Sequence, residues 1–334
     1  MKYAIAPAAL LALAAIPAGA EDYKVAHFTT ANSSSAAFDQ AFADKVTEKT
    51  GGDTTFEFFW SGSLGSGAEI VHLISGGAVK IGGTAPAYYP SELPIAGLTN
   101  SLPGVFPDAE AAMRAQRALT TSNPLYLAEA ERVGVYPIVQ HGLASSHMMC
   151  TEPFSTVADL AGRKVRTFGY FLPVAVSALG MTPVSLATSE IYEGLERGVI
   201  DCVAVSFNTA QSYKVYEVAK YWSDINLGAL SGPTLYAGYD IYFNEWDDAM
   251  RAIVDEASAA VFEDEIANLS ALEDQAVAVA EADGARLIPF TEQDKVDGLL
   301  PDMLALWQEK QVADGMDAGT AAAVVDAVRA ELAK

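Results

Sequence analysis

The chain has 334 residues, 51% of them hydrophobic and 19% charged, with 43 acidic against 20 basic side chains for a formal charge of −23. That length suits two lobes of ordinary size, and the apolar share is ample for packed cores, which excludes a disordered chain. The acidic excess excludes nucleic acid and anionic lipid surfaces as partners, because both need clustered Lys and Arg.

Met1-Lys2 gives a short positive start, Ala4 to Ile16 is almost wholly apolar, and Pro17-Ala18-Gly19-Ala20 ends in small residues before polar Glu21-Asp22. This is the pattern of a secretory signal peptide over residues 1–20. No later apolar run approaches twenty residues, so no stable membrane insertion is expected of the exported chain.

Tyr23 to Phe28 alternates as a strand and runs into the polar loop Thr29 to Ser35. Phe38, Phe42 and Val46 then mark a helix over 36–49, closed by Gly51-Gly52. A strand over 54–60, a helix over 68–75 and a strand over 79–83 follow, joined by short glycine loops. Such alternation is the signature of a parallel sheet covered by helices. The same grammar returns with strands over 135–141, 147–151, 164–168, 182–185 and 199–206, and helices over 172–179 and 189–196.

Residues 236–244 alternate as one more strand. From about Asp248 to Asp283 the apolar residues Met250, Ile253, Val254, Ala257 and Val261 mark a helix of about 50 Å at 1.5 Å per residue. That exceeds a single lobe, so the helix is expected to cross both. Helices over 293–313 and 318–332 close the chain. The fold class is α/β, with two lobes, each a mostly parallel sheet flanked by helices.

Motifs for catalysis are missing from this sequence. Gly65-Ser-Gly67 is followed by Ile70 where a dinucleotide loop needs its third glycine, and no P-loop Lys follows. The four histidines stand far apart, outside any metal-ligand spacing, and there is no nucleophile elbow. No cofactor, metal or catalytic residue is expected. The two cysteines, Cys150 and Cys202, lie at strand edges; an oxidising compartment favours pairing them, with two buried thiols as the alternative.

Binding has more support. Lys164-Val165-Arg166 ends a strand just before a glycine and a helix, at the crevice where ligands sit in open α/β sheets. There an Arg offers a planar fork that matches a carboxylate.

Three stretches carry a family resemblance: Asp159-Leu-Ala-Gly-Arg-Lys-Val-Arg166, Ala178-Leu-Gly-Met-Thr-Pro-Val-Ser185, and Glu190-Ile-Tyr-Glu-Gly-Leu-Glu-Arg-Gly-Val-Ile-Asp201. Together they resemble the solute-binding subunit of tripartite ATP-independent periplasmic (TRAP) transporters. The resemblance implies a periplasmic, hinged protein that closes on a small organic acid, carboxylate or sulfonate, and delivers it to membrane permease subunits driven by an ion gradient. It implies that Arg166 clamps the acid, with lobe I over 21–143 and 232–270 and lobe II over 144–231 and 271–334.

Phe168, Ser146, His147, Phe207 and Asn208 are the expected companions in lobe II, with Trp60 and Tyr88 closing from lobe I. Two departures stand out: Val205 occupies the place of a usual ligand-contacting Asn, and Thr188 that of a frequent Phe. With a single clamp, a monoanion is expected rather than a dicarboxylate. Two other readings stay open: an exported hydrolase or lyase using His147 with a cleft carboxylate, and a ligand-sensing subunit of a signalling receptor.

Overall fold

The computed structural model describes residues 21–334, and the signal-peptide reading of residues 1–20 lies outside the described residues. In chain order the strands are β1 (Glu21–His27), β2 (Thr54–Phe59), β3 (Ile81–Thr84), β4 (Val135–Leu143), β5 (His147–Cys150) and β6 (Lys164–Thr167). They continue as β7 (Thr182–Ser185), β8 (Cys202–Val205), β9 (Tyr221–Ser223), β10 (Leu230–Gly238) and β11 (Arg286–Ile288). One sheet has the order β2-β1-β3-β10-β4, the other β11-β9-β5-β8-β6-β7.

The parallel runs expected from strand–helix alternation are β2-β1-β3 and β8-β6-β7. In each sheet antiparallel pairs extend them, through β10 in the first and β5 in the second, so both sheets are mixed. Residues 144–146 and 224–229 carry the chain between the sheets and pair with each other: Ser146 N donates to Gly228 O at 2.9 Å and Leu227 N to Ser146 O at 2.9 Å.

A third connection is the helix Asp248–Ala282, of 35 residues, started by the Asp247 side chain accepting from Met250 N. Its early residues Val254, Ala257 and Val261 lie in the core of the first sheet. Further along, Ala276 and Ala280 lie in the core of the second. One rigid rod therefore belongs to both halves. Among the described residues no helix is long and apolar enough to cross a membrane.

Cys150 and Cys202 face each other across β5 and β8 with Cα atoms 4.1 Å apart, and they form a disulfide. Both are fully buried in the core under the second sheet.

Two expected elements differ. The strand expected over 236–244 runs instead from Leu230 to Gly238, and Ile241–Glu245 is a helical turn. The pairing of β10 with β4 is irregular between Ser231 and Thr234, which leaves room for Pro233, a residue unable to donate to a ladder. The helix expected over 293–313 is two, Gln293–Leu299 and Met303–Ala313, because Pro301 cannot continue a helix and disfavours helical geometry at Leu300. Met303–Ala313 and Ala318–Leu332 bury Trp307, Val324 and Val328 in one cluster with Met113 and Leu119 beside the first sheet and Phe171 from the second.

Candidate functional site

β6 is sandwiched between β7 and β8, with Arg166 opposite Val184 on one side and Val203 on the other. Near its carboxyl end Arg166 is 2% exposed, an unusual place for a cation. Its Nε donates to Leu186 O at 3.0 Å and its Nη2 to Thr188 Oγ1 at 2.9 Å, while the guanidinium carbon sits 4.8 Å from the centre of the Phe168 ring. Among the described residues no carboxylate lies within 4.0 Å of it. Burial lowers its pKa, and the Tyr88 and Tyr213 oxygens and Glu190 offset this only in part. A buried, unneutralised guanidinium with a planar fork of donors has the chemistry to hold an anion.

Tyr88 approaches from the first sheet, at the end of the turn Pro86–Tyr88 that follows β3. Its hydroxyl is 3.0 Å from Thr188 Oγ1, and its ring meets Phe28 and Phe168 edge-on with centroids 5.5 and 6.4 Å away. Gly67 makes this possible, since a Cβ there would stand 2.7 Å from the Tyr88 ring. The glycine-rich loop therefore seats an aromatic side chain. A second bridge joins the halves where Asn208 Nδ2 donates to Ser34 Oγ at 3.3 Å.

Between these bridges lies a cavity of about 90 Å³. Of the expected residues, Arg166, Phe168, Ser146 and Tyr88 line it. Four others stand outside its lining. The His147 ring stacks on Phe207 with centroids 4.1 Å apart, and Phe207 stacks in turn on Trp222 at 5.4 Å. His147 Nδ1 donates to Ile225 O at 3.0 Å, and burial lowers its pKa. Asn208 Oδ1 accepts from Ser206 Oγ at 2.6 Å, so its amide serves the bridge to Ser34. Trp60 stacks flat on Phe58 with centroids 4.7 Å apart and leans on His27.

Val205 and Thr188 line the cavity, as do residues not singled out from sequence for this role: Phe28, Thr29, Ser33, Leu143 and Leu230. A signal for the loop Thr29–Ser35 did exist, because it follows the carboxyl end of β1, where α/β sheets bind. Leu230 belongs to a strand whose start was hidden behind Gly232-Pro233.

Directly behind the cavity wall four ionisable groups are fully buried. His141 stands between two carboxylates, with Nε2 3.0 Å from Asp39 Oδ1 and Nδ1 2.8 Å from Glu265 Oε2. Burial opposes its charge, but Asp39 and Glu265 outweigh it and lift the pKa to about 10. Burial likewise opposes ionisation of Asp39, and the charge and hydrogen bond of His141, joined by His27, hold its pKa down to about 2. His27 Nδ1 accepts from Thr29 N at 3.2 Å, so Nε2 carries the proton it donates to Asp39 Oδ2 at 2.9 Å. Glu265 Oε1 accepts from Gly142 N at 3.1 Å. Thr29 and Gly142, which line the cavity, are thereby tied to the long helix.

Farther along that helix Glu273 accepts from Phe207 N and Asn208 N, both at 2.9 Å, which fixes the start of the helix Phe207–Ser212. Burial raises the Glu273 pKa to about 7, against the lowering effect of those two N–H groups.

Comparison with known proteins agrees with this geometry. A structure from Xanthobacter autotrophicus Py2, a TRAP periplasmic solute-binding protein with bound β-D-galacturonate, superposes with a TM-score of 0.78 at 17% identity, covering 93% of this chain and 99% of that one. The Bordetella pertussis receptor DctP7, which binds pyroglutamic acid, gives a TM-score of 0.79 at 18% identity over 93% of this chain and 100% of its own. In sequence, the protein YiiZ of Salmonella typhimurium is 28% identical over 184 residues, so the match spans 54% of this chain and about half, 55%, of that relative. The family model for bacterial extracellular solute-binding proteins, family 7 (DctP), matches residues 25–308. The chain thus belongs to family 7 of the bacterial extracellular solute-binding proteins, the family of the TRAP subunits that its sequence resembles.

Proposed function

We propose that this protein captures a small organic monoanion between its two halves in the periplasm and delivers it to TRAP permease subunits. The single observation that carries the reading is Arg166, buried without a carboxylate partner and lining the cavity. Lobe I comprises residues 21–143 and 232–270, lobe II residues 144–231 and 271–334, and the paired segments 144–146 and 224–229 serve as the hinge. Closure is favoured by contacts that only the closed form makes, among them Tyr88 with Thr188 and Asn208 with Ser34. The galacturonate and pyroglutamate of the two solved relatives are monoacids, which supports an acid ligand here.

A hydrolase or lyase reading would need His147 beside a cleft carboxylate. Its ring is instead occupied by Phe207 and Ile225 O, which supports a receptor. A thermal-shift screen against organic acids, sulfonates and zwitterions finds the best ligand. Calorimetry of Arg166→Ala with that ligand then tests the clamp. The variant is expected to lose about 2–4 kcal/mol of binding through the missing charge-assisted pair. Unchanged affinity would show that the clamp is elsewhere.

A further inference from the structure

Much of the cavity lining is carbon: Phe28, Leu143, Phe168, Val205, Leu230 and Pro233. Hydroxyl groups also reach the cavity; that of Ser146 has no hydrogen-bond partner among the described residues, but several others are already used. Thr29 Oγ1 is 2.8 Å from His27 Nδ1, Ser206 Oγ donates to Asn208 Oδ1 at 2.6 Å, and Ser212 Oγ donates to Asn208 O at 2.9 Å. Thr188 Oγ1 stands between Arg166 and Tyr88. The Asn100 amide is spent in the same way, accepting from Ala87 N at 3.2 Å and donating to Ser231 O.

Arg166 is the one Lys or Arg in the lining, and no Asp or Glu lines the cavity. A second carboxylate on the ligand would find no cation, and an ammonium would find no anion. A sugar acid would press several hydroxyls against carbon and strip them of their water hydrogen bonds. The volume of about 90 Å³ sets a further limit. It is smaller than the cavity of about 150 Å³ known to admit benzene.

We infer that the site selects a short-chain monocarboxylate of about three to five carbons, with an apolar or singly oxygenated body such as a 2-oxo or 2-hydroxy acid. This rests on Arg166 as the anion clamp and adds what the rest of the ligand must be. It separates this chain from its galacturonate-binding structural relative.

Calorimetry of the purified protein with pyruvate, 2-oxobutyrate, 2-oxoisovalerate and L-lactate, against succinate, D-glucuronate, D-galacturonate and L-alanine, tests the inference. At least one of the first four should bind at least tenfold tighter than every one of the second four. The inference is overturned if any comparator comes within tenfold of the best short monoacid, or if none of the first four binds. The same titrations on Arg166→Ala separate the two claims. A uronate that binds the parent and is lost in the variant leaves the clamp standing and removes the size limit. Acid binding that survives in the variant removes the clamp itself.

Discussion

The Tyr88 hydroxyl and Thr188 Oγ1 stand 3.0 Å apart, one carried by the first sheet's side of the cleft and the other by the second, and that same threonine oxygen accepts from Arg166 Nη2 at 2.9 Å. On the function proposed above, the anion clamp and the closing contact share one atom. An acid on Arg166 and a closed cleft would then stabilise each other, because both draw on the position of Thr188.

Thr188→Val keeps the shape and removes the hydroxyl. The bond from Arg166 is lost in open and closed forms alike, whereas the one to Tyr88 is lost only from the closed form, at a cost of about 1 kcal/mol. We expect affinity to fall about fivefold, mainly through faster release, since contacts made only in the closed form act on dissociation. Thr188→Ser should restore the parent rate. Stopped-flow protein fluorescence measures it, and an unchanged release rate in the valine variant would remove Thr188 from the closing contact.

The buried group around His141 makes stability depend on pH at both ends. His141 is raised from 6.5 to about 10, so its contribution is complete below 6.5 and is lost as pH rises through 10. Asp39 is lowered from 3.8 to about 2, so its contribution is complete above 3.8 and is lost as pH falls through 2. Both are present in full between 3.8 and 6.5. In that window His141→Gln leaves two carboxylates buried without their cation and should destabilise the fold by about 3–5 kcal/mol. Urea unfolding at pH 5 measures this, and a loss under about 1 kcal/mol would contradict the assignment of charge.

The disulfide joins residues 52 apart and staples two central strands of the second sheet. Replacing both cysteines by alanine should cost about 2–4 kcal/mol, chiefly by freeing the unfolded chain. Differential scanning calorimetry of the double variant reads the change. An unaltered melting temperature would mean that other contacts already fix β5 against β8.

Much of this was legible in the sequence because it rests on local chemistry. Periodicity and glycine stops located the parallel strands and the long helix, and the position of Arg166 before Gly169 marked it as a cleft residue, which lines the cavity. What stayed hidden depends on side-chain direction. His147, Phe207 and Trp60 are aromatic and lie near the right strands, yet stacking on Phe207, Trp222 and Phe58 turns their rings away from the cavity. Thr188 was visible only as a departure from a resemblance, because its role requires Tyr88, 100 residues earlier in the chain, to meet it. The union of His27, Asp39, His141 and Glu265 is likewise a product of tertiary packing, drawn from two strands and two helices.

A crystal structure of the protein with its bound acid decides whether Arg166 holds the anion. Ligand oxygens are expected at about 2.7–2.9 Å from the Arg166 guanidinium nitrogens, with the cleft closed over them. An acid held elsewhere, with Arg166 touching only Leu186 O and Thr188, would contradict this.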